Sequence, residues 1–196
     1  MNLPTVYLAR HGETAWSLTG QHTGLSDLPL IESGVAMARA LKDRLAGLNI
    51  AKVYTSPLQR AAKTCELAGF GAQAEIEPDL VEWNYGAYDG RTSADIQKDH
   101  PGWEIFRDGC PGGETLAQVA ARADRVIKRA RSVDGNVLLF GSGHILRIIG
   151  ARWLGLDAVQ GYSLFLNTAS VSELGYEHNL THPVIRLWND HRHVAK

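Results

Sequence analysis

The sequence predicts an α/β protein: a three-layer α/β/α sandwich around a mostly parallel central sheet. Three observations carry that prediction. Short β-branched or aromatic runs alternate with helical stretches of amphipathic spacing. The clearest strands give way abruptly to polar turns. A chain of 196 residues is also long enough to bury a sizeable core without staples. No repeat, low-complexity segment or linker interrupts it, so residues 1–196 read as one domain.

Taken in order, Val6-Tyr7-Leu8 reads as a buried first strand, followed by a polar loop from Gly12 to Pro29. Val35, Ala38, Leu41 and Leu45 recur at helical spacing and predict a helix from about Glu32 to Leu45. Lys52 to Thr55 predicts a second strand. Ser56-Pro57 then reads as N-cap and first residue of a helix to Leu67. Ala74 to Ile76 is a weaker third strand. Leu80 to Gly113 reads as irregular, apart from a short helix near Ser93 to Lys98. Glu114-Thr115 opens an amphipathic helix to about Arg131. Asn136 to Phe140 is the clearest buried strand, and Gly141-Ser142-Gly143-His144 turns it into a helix to Leu154. A hairpin, Ser170 to Gly175 and Val184 to Trp188, ends the pattern before a polar tail.

Composition narrows the function classes. A net charge of -1 gives no electrostatic case for binding nucleic acid or an anionic membrane. Positive charge must therefore be concentrated in a pocket if the substrate is an anion. Cys65 and Cys110 are too few for a disulfide framework and lie in no metal-ligand spacing. His191-Arg192-His193 reads as a solvated tail rather than a metal site. The absence of a signal peptide or membrane-length apolar run makes the cytoplasm the default compartment.

Chemistry accumulates where strands end. His11 and Arg10 follow the first strand, at the edge where open α/β sheets keep their ligand crevice. An imidazole there can attack phosphorus while an arginine holds phosphoryl oxygens. An isolated Arg-His pair is more often an ordinary surface loop, so the case depends on partners. Arg60 lies one turn into the helix after the second strand, at an N-terminus rich in unpaired N–H groups. Glu82 stands among apolar and aromatic neighbours, surroundings that suit a general acid; a structural salt bridge is the plainer alternative. Two motif readings fail. Gly141-Ser142-Gly143 lacks the third glycine of a dinucleotide loop, and Phe140 and His144 replace the flanking glycines of a serine-hydrolase elbow.

Taken together, Arg10-His11-Gly12, Thr55-Ser56-Pro57 with Arg60 and Thr64, and Glu82 resemble the histidine phosphatase superfamily, the phosphoglycerate mutase-like fold. The resemblance covers nearly the whole chain. It is nearest the sedoheptulose- and fructose-bisphosphatase-like branch through Trp16-Ser17, Gly20-Gln21-His22-Thr23-Gly24-Leu25, Trp83-Asn84-Tyr85-Gly86, Arg107-Asp108-Gly109-Cys110, Gly113-Glu114-Thr115 and His144-Ile145-Leu146-Arg147. It implies that His11 is the nucleophile, Glu82 the proton donor, and Arg10 and Arg60 the phosphate-binding arginines. Ser17 and Thr23 would line the pocket mouth near the phosphate. Gly24, Tyr85, His144, Arg147 and His178 would meet the rest of the substrate. The implied reaction is hydrolysis of a small phosphorylated metabolite, a sugar phosphate or bisphosphate, through a phosphohistidine without metal or cofactor. Mutase-type phosphoryl transfer and simple binding of a phosphometabolite are the alternatives. A homodimer stays open.

One position departs from that family. Where its pattern runs Phe-x-His-Gly-His-x-Leu-Arg, this chain has Phe140-Gly141-Ser142-Gly143-His144-Ile145-Leu146-Arg147. Ser142 thus stands where the resemblance expects a second catalytic histidine that donates to the phosphoryl group. Losing such a donor costs about 2.7–4 kcal/mol, or about 10²–10³ in rate. Ser142 is then either an engineered substitution, favoured by the intactness of every other motif position, or a natural variant in which His144 or water compensates. The turn at Gly143 is expected to direct His144 away from that role. Ser142→His is expected to raise turnover substantially, and unchanged turnover would mean that this turn is in a different register.

Overall fold

A computed structural model describes residues 3–194. Strand β1 (Val6–Arg10) leads to a short helix α1 (Ala15–Thr19) and the longer α2 (Glu32–Leu45). Then come β2 (Ile50–Thr55), α3 (Gln59–Leu67) and β3 (Ala74–Ile76). The long segment that follows carries α4 (Ser93–Asp99) and α5 (Ile105–Asp108) before α6 (Leu116–Arg131). Strand β4 (Asn136–Gly141) runs into α7 (Gly143–Trp153), and the hairpin β5 (Val171–Tyr176) and β6 (Pro183–Asp190) completes the elements.

The strands form one sheet in the order β3-β2-β4-β1-β5-β6. Pairings among β3, β2, β4 and β1 are parallel; β5 and β6 are antiparallel additions at one edge. The sheet is therefore mixed, with its parallel part as expected. Alternation along β1 and β4 explains the layers. Val6, Leu8, Val137 and Leu139 pack on one face with Val126 of α6 and Ile145 of α7. Tyr7, Ala9, Leu138 and Phe140 pack on the other with Leu41 and Leu45 of α2 and Cys65 of α3. Strands buried on both faces read as continuous apolar runs, which is why β4 is so clear in the sequence.

Two local readings change. Helix α3 starts at Gln59, because Ser56 Oγ accepts from the Leu58 N–H and holds a turn ahead of the helix. The loop from Gly12 to Pro29 contains α1, set by a capping box in which Thr14 Oγ1 accepts from Ser17 N and Ser17 Oγ accepts from Thr14 N. A five-residue helix has too few positions to show an apolar period.

Three turns emerge together at the carboxyl ends of the parallel strands. Arg10 pairs with Gly141 and Thr55 with Phe140, so β1, β2 and β4 end level. The His11 N–H donates to the Gly141 carbonyl at 3.0 Å and the Ser56 N–H to the Phe140 carbonyl at 2.9 Å. Residues 11, 56 and 142 thereby share the carboxyl-end crevice of the parallel strands.

Candidate active site

His11 is 3% exposed, and its Nδ1 lies 2.7 Å from the Gly12 carbonyl oxygen. A carbonyl can only accept, so Nδ1 carries the proton and Nε2 keeps its lone pair. Burial first, then the charges of Arg60 and Arg10, hold the imidazole well below its ordinary pKa of 6.5. It is a neutral base at pH 7. The loop that fixes it is tightly packed: a Cβ at Gly12 would lie 2.3 Å from the Gly34 carbonyl oxygen. Thr64 ties that loop to α3, accepting from Gly12 N at 3.0 Å and donating to the Arg60 carbonyl at 2.7 Å.

His11 opens into a cleft of about 360 Å³ whose walls include Arg10, Glu82, Tyr85, His144 and Arg147. Arg10 donates from Nη1 to the Leu166 carbonyl at 2.6 Å, while its buried Nε has no hydrogen-bond partner among the described residues. Buried guanidinium donors are rarely left unmatched. Arg147 leans over the Phe106 ring at 5.0 Å and anchors Nε and Nη2 on the Gly161 and Tyr162 carbonyls, at 2.9 and 2.6 Å.

Glu82 is 4% exposed and held by α7. Its Oε1 accepts from Trp83 N and Ile145 N, and its Oε2 from His144 N, each at 2.9 Å. A carboxyl group offers about four lone-pair sites, so one remains on Oε2. The loop carrying Glu82 is clamped from α6: Arg122 pairs with Glu114 through two 2.8 Å contacts and donates to the Asp79 and Val81 carbonyls.

Arg60 is fully buried and makes four hydrogen bonds within the protein, to Ser142 Oγ at 3.3 Å and to the Ser26, Thr23 and Gly24 carbonyls at 2.8–3.0 Å. It therefore holds the 23–26 loop and lends its charge to His11, which qualifies the expected direct role on phosphate. Ser142, 1% exposed, accepts from Arg60 and sits behind the cleft wall. Gly24 has no room for a side chain, since a Cβ would lie 2.8 Å from the Trp83 carbonyl oxygen. Ser17 and Thr23 both reach the cleft. Ser17 Oγ also donates to the Thr14 carbonyl, and Thr23 Oγ1 to that of Gln21.

His144, in the first turn of α7, lines the cleft with His11. Its Nδ1 lies 2.5 Å from the Tyr85 hydroxyl. Burial above all pushes the imidazole well below 6.5 and the phenol well above 10. Both are therefore neutral near pH 7. One proton lies between the two groups, and with the phenol donating to Nδ1 the imidazole keeps Nε2–H as a donor.

His178 does not join the site. It follows β5, which runs antiparallel to β1, and so lies beside Thr5 and Asn136 at the amino ends of the strands. A hairpin reverses the chain, and the sequence resemblance could not say at which end of the sheet its tip emerges.

Other wall residues escaped notice. Phe165 and Leu166 come from the connection into β5, which carries no motif. His22 was visible only as part of a motif; it packs on Tyr85 and Trp103 with ring centroids 5.0 and 5.5 Å apart. Asp89, which accepts from Gly24 N and Ser26 Oγ at 2.7 Å, shapes the mouth without lining it.

The buried neutral imidazoles make stability pH-dependent. Below about pH 6.5 the unfolded chain gains protons that His11 and His144 refuse in the fold. Unfolding then becomes easier as pH falls, and the urea midpoint is expected to drop between about pH 7 and pH 5.

Comparison with known proteins agrees with this geometry. Residues 6–191 match the family model for the histidine phosphatase superfamily (branch 1). The chain is 37% identical over 177 residues to an acid phosphatase of Mycobacterium tuberculosis, covering 88% of this chain and 87% of that protein. It is 34% identical to sedoheptulose 1,7-bisphosphatase of Saccharomyces cerevisiae, covering 78% and 68%. A solved structure of a Mycobacterium tuberculosis open-reading-frame product superposes with a TM-score of 0.90 at 34% identity, over 96% of this chain and 99% of that one. No helix among the described residues is long and apolar enough to cross a membrane.

Proposed function

The chain belongs to the histidine phosphatase superfamily, and on that premise we propose that it hydrolyses small sugar phosphates or bisphosphates through a phosphohistidine at His11. The observation that carries this reading is that the Arg10 guanidinium and neutral His11 belong to one cleft wall, with Glu82 beside them. A cation and a neutral imidazole lining one cleft fit a phosphoryl group. The cleft volume suits a small metabolite, and Arg147 adds a second cation for another anionic group. The relatives named above for acid phosphatase and sedoheptulose bisphosphatase activity support the same class.

In the first step His11 Nε2 attacks phosphorus in line, the P–N bond forms and the ester P–O bond breaks. Protonated Glu82 delivers its proton from Oε2 to the departing alkoxide. In the second, Glu82 takes a proton from water as that water attacks phosphorus. The P–N bond breaks and neutral His11 returns. Arginine charge balances the oxygens of the transferring group throughout.

Ser142 is read here as a natural variant compensated by His144, whose Nε2–H replaces the missing donor. His144→Ala then lowers kcat by about 10²–10³, the worth of one oriented donor, while Ser142→His gives no comparable gain. A rise of that size in Ser142→His would mean an impaired site instead. The substrate class is tested by measuring phosphate release from an aryl phosphate and from sugar mono- and bisphosphates. Turnover of the sugar esters supports the reading; tight binding without release contradicts it.

A further inference from the structure

The tip of the β5–β6 hairpin holds a cluster that the phosphatase chemistry does not use. The geometry points to a zinc-class divalent metal site formed by Glu177, His178 and His182. Glu177 Oε1 lies 3.8 Å from His178 Nε2, and Glu177 Oε2 lies 3.8 Å from His182 Nε2. Those separations are too long for hydrogen bonds, and none of the three side chains has a hydrogen-bond partner among the described residues. The spacing is instead close to that between neighbouring ligands of one ion. Zinc–nitrogen bonds of about 2.0–2.1 Å place tetrahedral ligand atoms about 3.3–3.4 Å apart. One donor atom from each residue already lies within 4.8 Å of the others, and all three side chains are exposed, so small rotations close the gap.

The backbone holds the ligands ready. Tyr176 pairs with Pro183, and the Glu177 N–H donates to the His182 carbonyl at 3.0 Å, so ligands from both arms face one another. Asn179 closes the turn: its carbonyl accepts from His182 N, and its side chain from Thr181 N. Two imidazoles and one carboxylate favour zinc, copper or nickel over magnesium or calcium. Three protein ligands leave a fourth position for water. The bound ion would pin the two arms together at the end of the sheet remote from His11.

Calorimetric titration of the full chain with Zn²⁺ in a phosphate-free buffer tests this. The expected result is one saturable equivalent and a raised melting temperature. Both effects should disappear in His178→Ala and in His182→Ala, with affinity weakened about tenfold or more in Glu177→Gln. A His191→Ala/His193→Ala double variant should bind like the parent. Circular dichroism of each apo variant checks that the fold is retained. No saturable binding, or binding that survives loss of either hairpin histidine, overturns the assignment. Loss of binding in the tail variant alone also overturns it, by placing the ion there.

Discussion

Replacing His11 by asparagine is expected to lower kcat/KM for any phosphate ester by about 10⁴-fold or more, as loss of an enzyme nucleophile does elsewhere. Asparagine is chosen because its amide can still donate to the Gly12 carbonyl, now 2.7 Å from the imidazole. The packed loop against Gly34 is then kept while the lone pair that attacks phosphorus is removed. Arg10, Arg147 and the clamped 23–26 loop are untouched, so inorganic phosphate should bind about as well as before. That split separates loss of chemistry from loss of the pocket. Comparable turnover in the variant would mean that another group attacks phosphorus.

Glu82→Gln carries the next largest effect, about 10²–10⁴-fold on kcat for alkyl phosphates, the usual range for a lost general acid. The glutamine carbonyl can still accept from Trp83 and Ile145, but its amide faces the His144 N–H, where Oε2 now accepts. Helix α7 therefore loses one of its N-terminal bonds. Its stability should fall by about 1 kcal/mol, as for a lost cap, far less than would explain the rate. The diagnostic measurement compares leaving groups. An aryl phosphate departs as a stable phenolate and needs little protonation, so its turnover should suffer much less than that of a sugar phosphate. Equal losses on both would make Glu82 a structural cap of α7 alone.

Legibility in the sequence follows the physics of each part. Strands β1 and β4 are buried on both faces, and their unbroken apolar runs announce the parallel core. The turns at residues 10–12 and 141–144 are legible because each follows such a strand. Helix α1 is too short for periodicity, and only Thr14 and Ser17 mark it. The walls are harder. Phe165 and Leu166 enter the cleft from a connection whose position depends on packing between α7 and the final hairpin. Placing His178 required knowing which end of β5 meets the amino end of β1, a fact of pairing rather than pattern. Arg60 shows the limit for single residues: its position in the motif was clear, but three of its four bonds within the protein go to a loop more than thirty residues away and the fourth to Ser142.

The most direct measurement is to mix the protein with a sugar phosphate, quench within the first turnovers and search its peptides by mass spectrometry under alkaline conditions that preserve phosphohistidine. The expected result is a single phosphoryl group on the peptide spanning His11, absent from His11→Asn. A phosphoryl group on any other residue, or rapid phosphate release with none trapped at His11, would contradict the account.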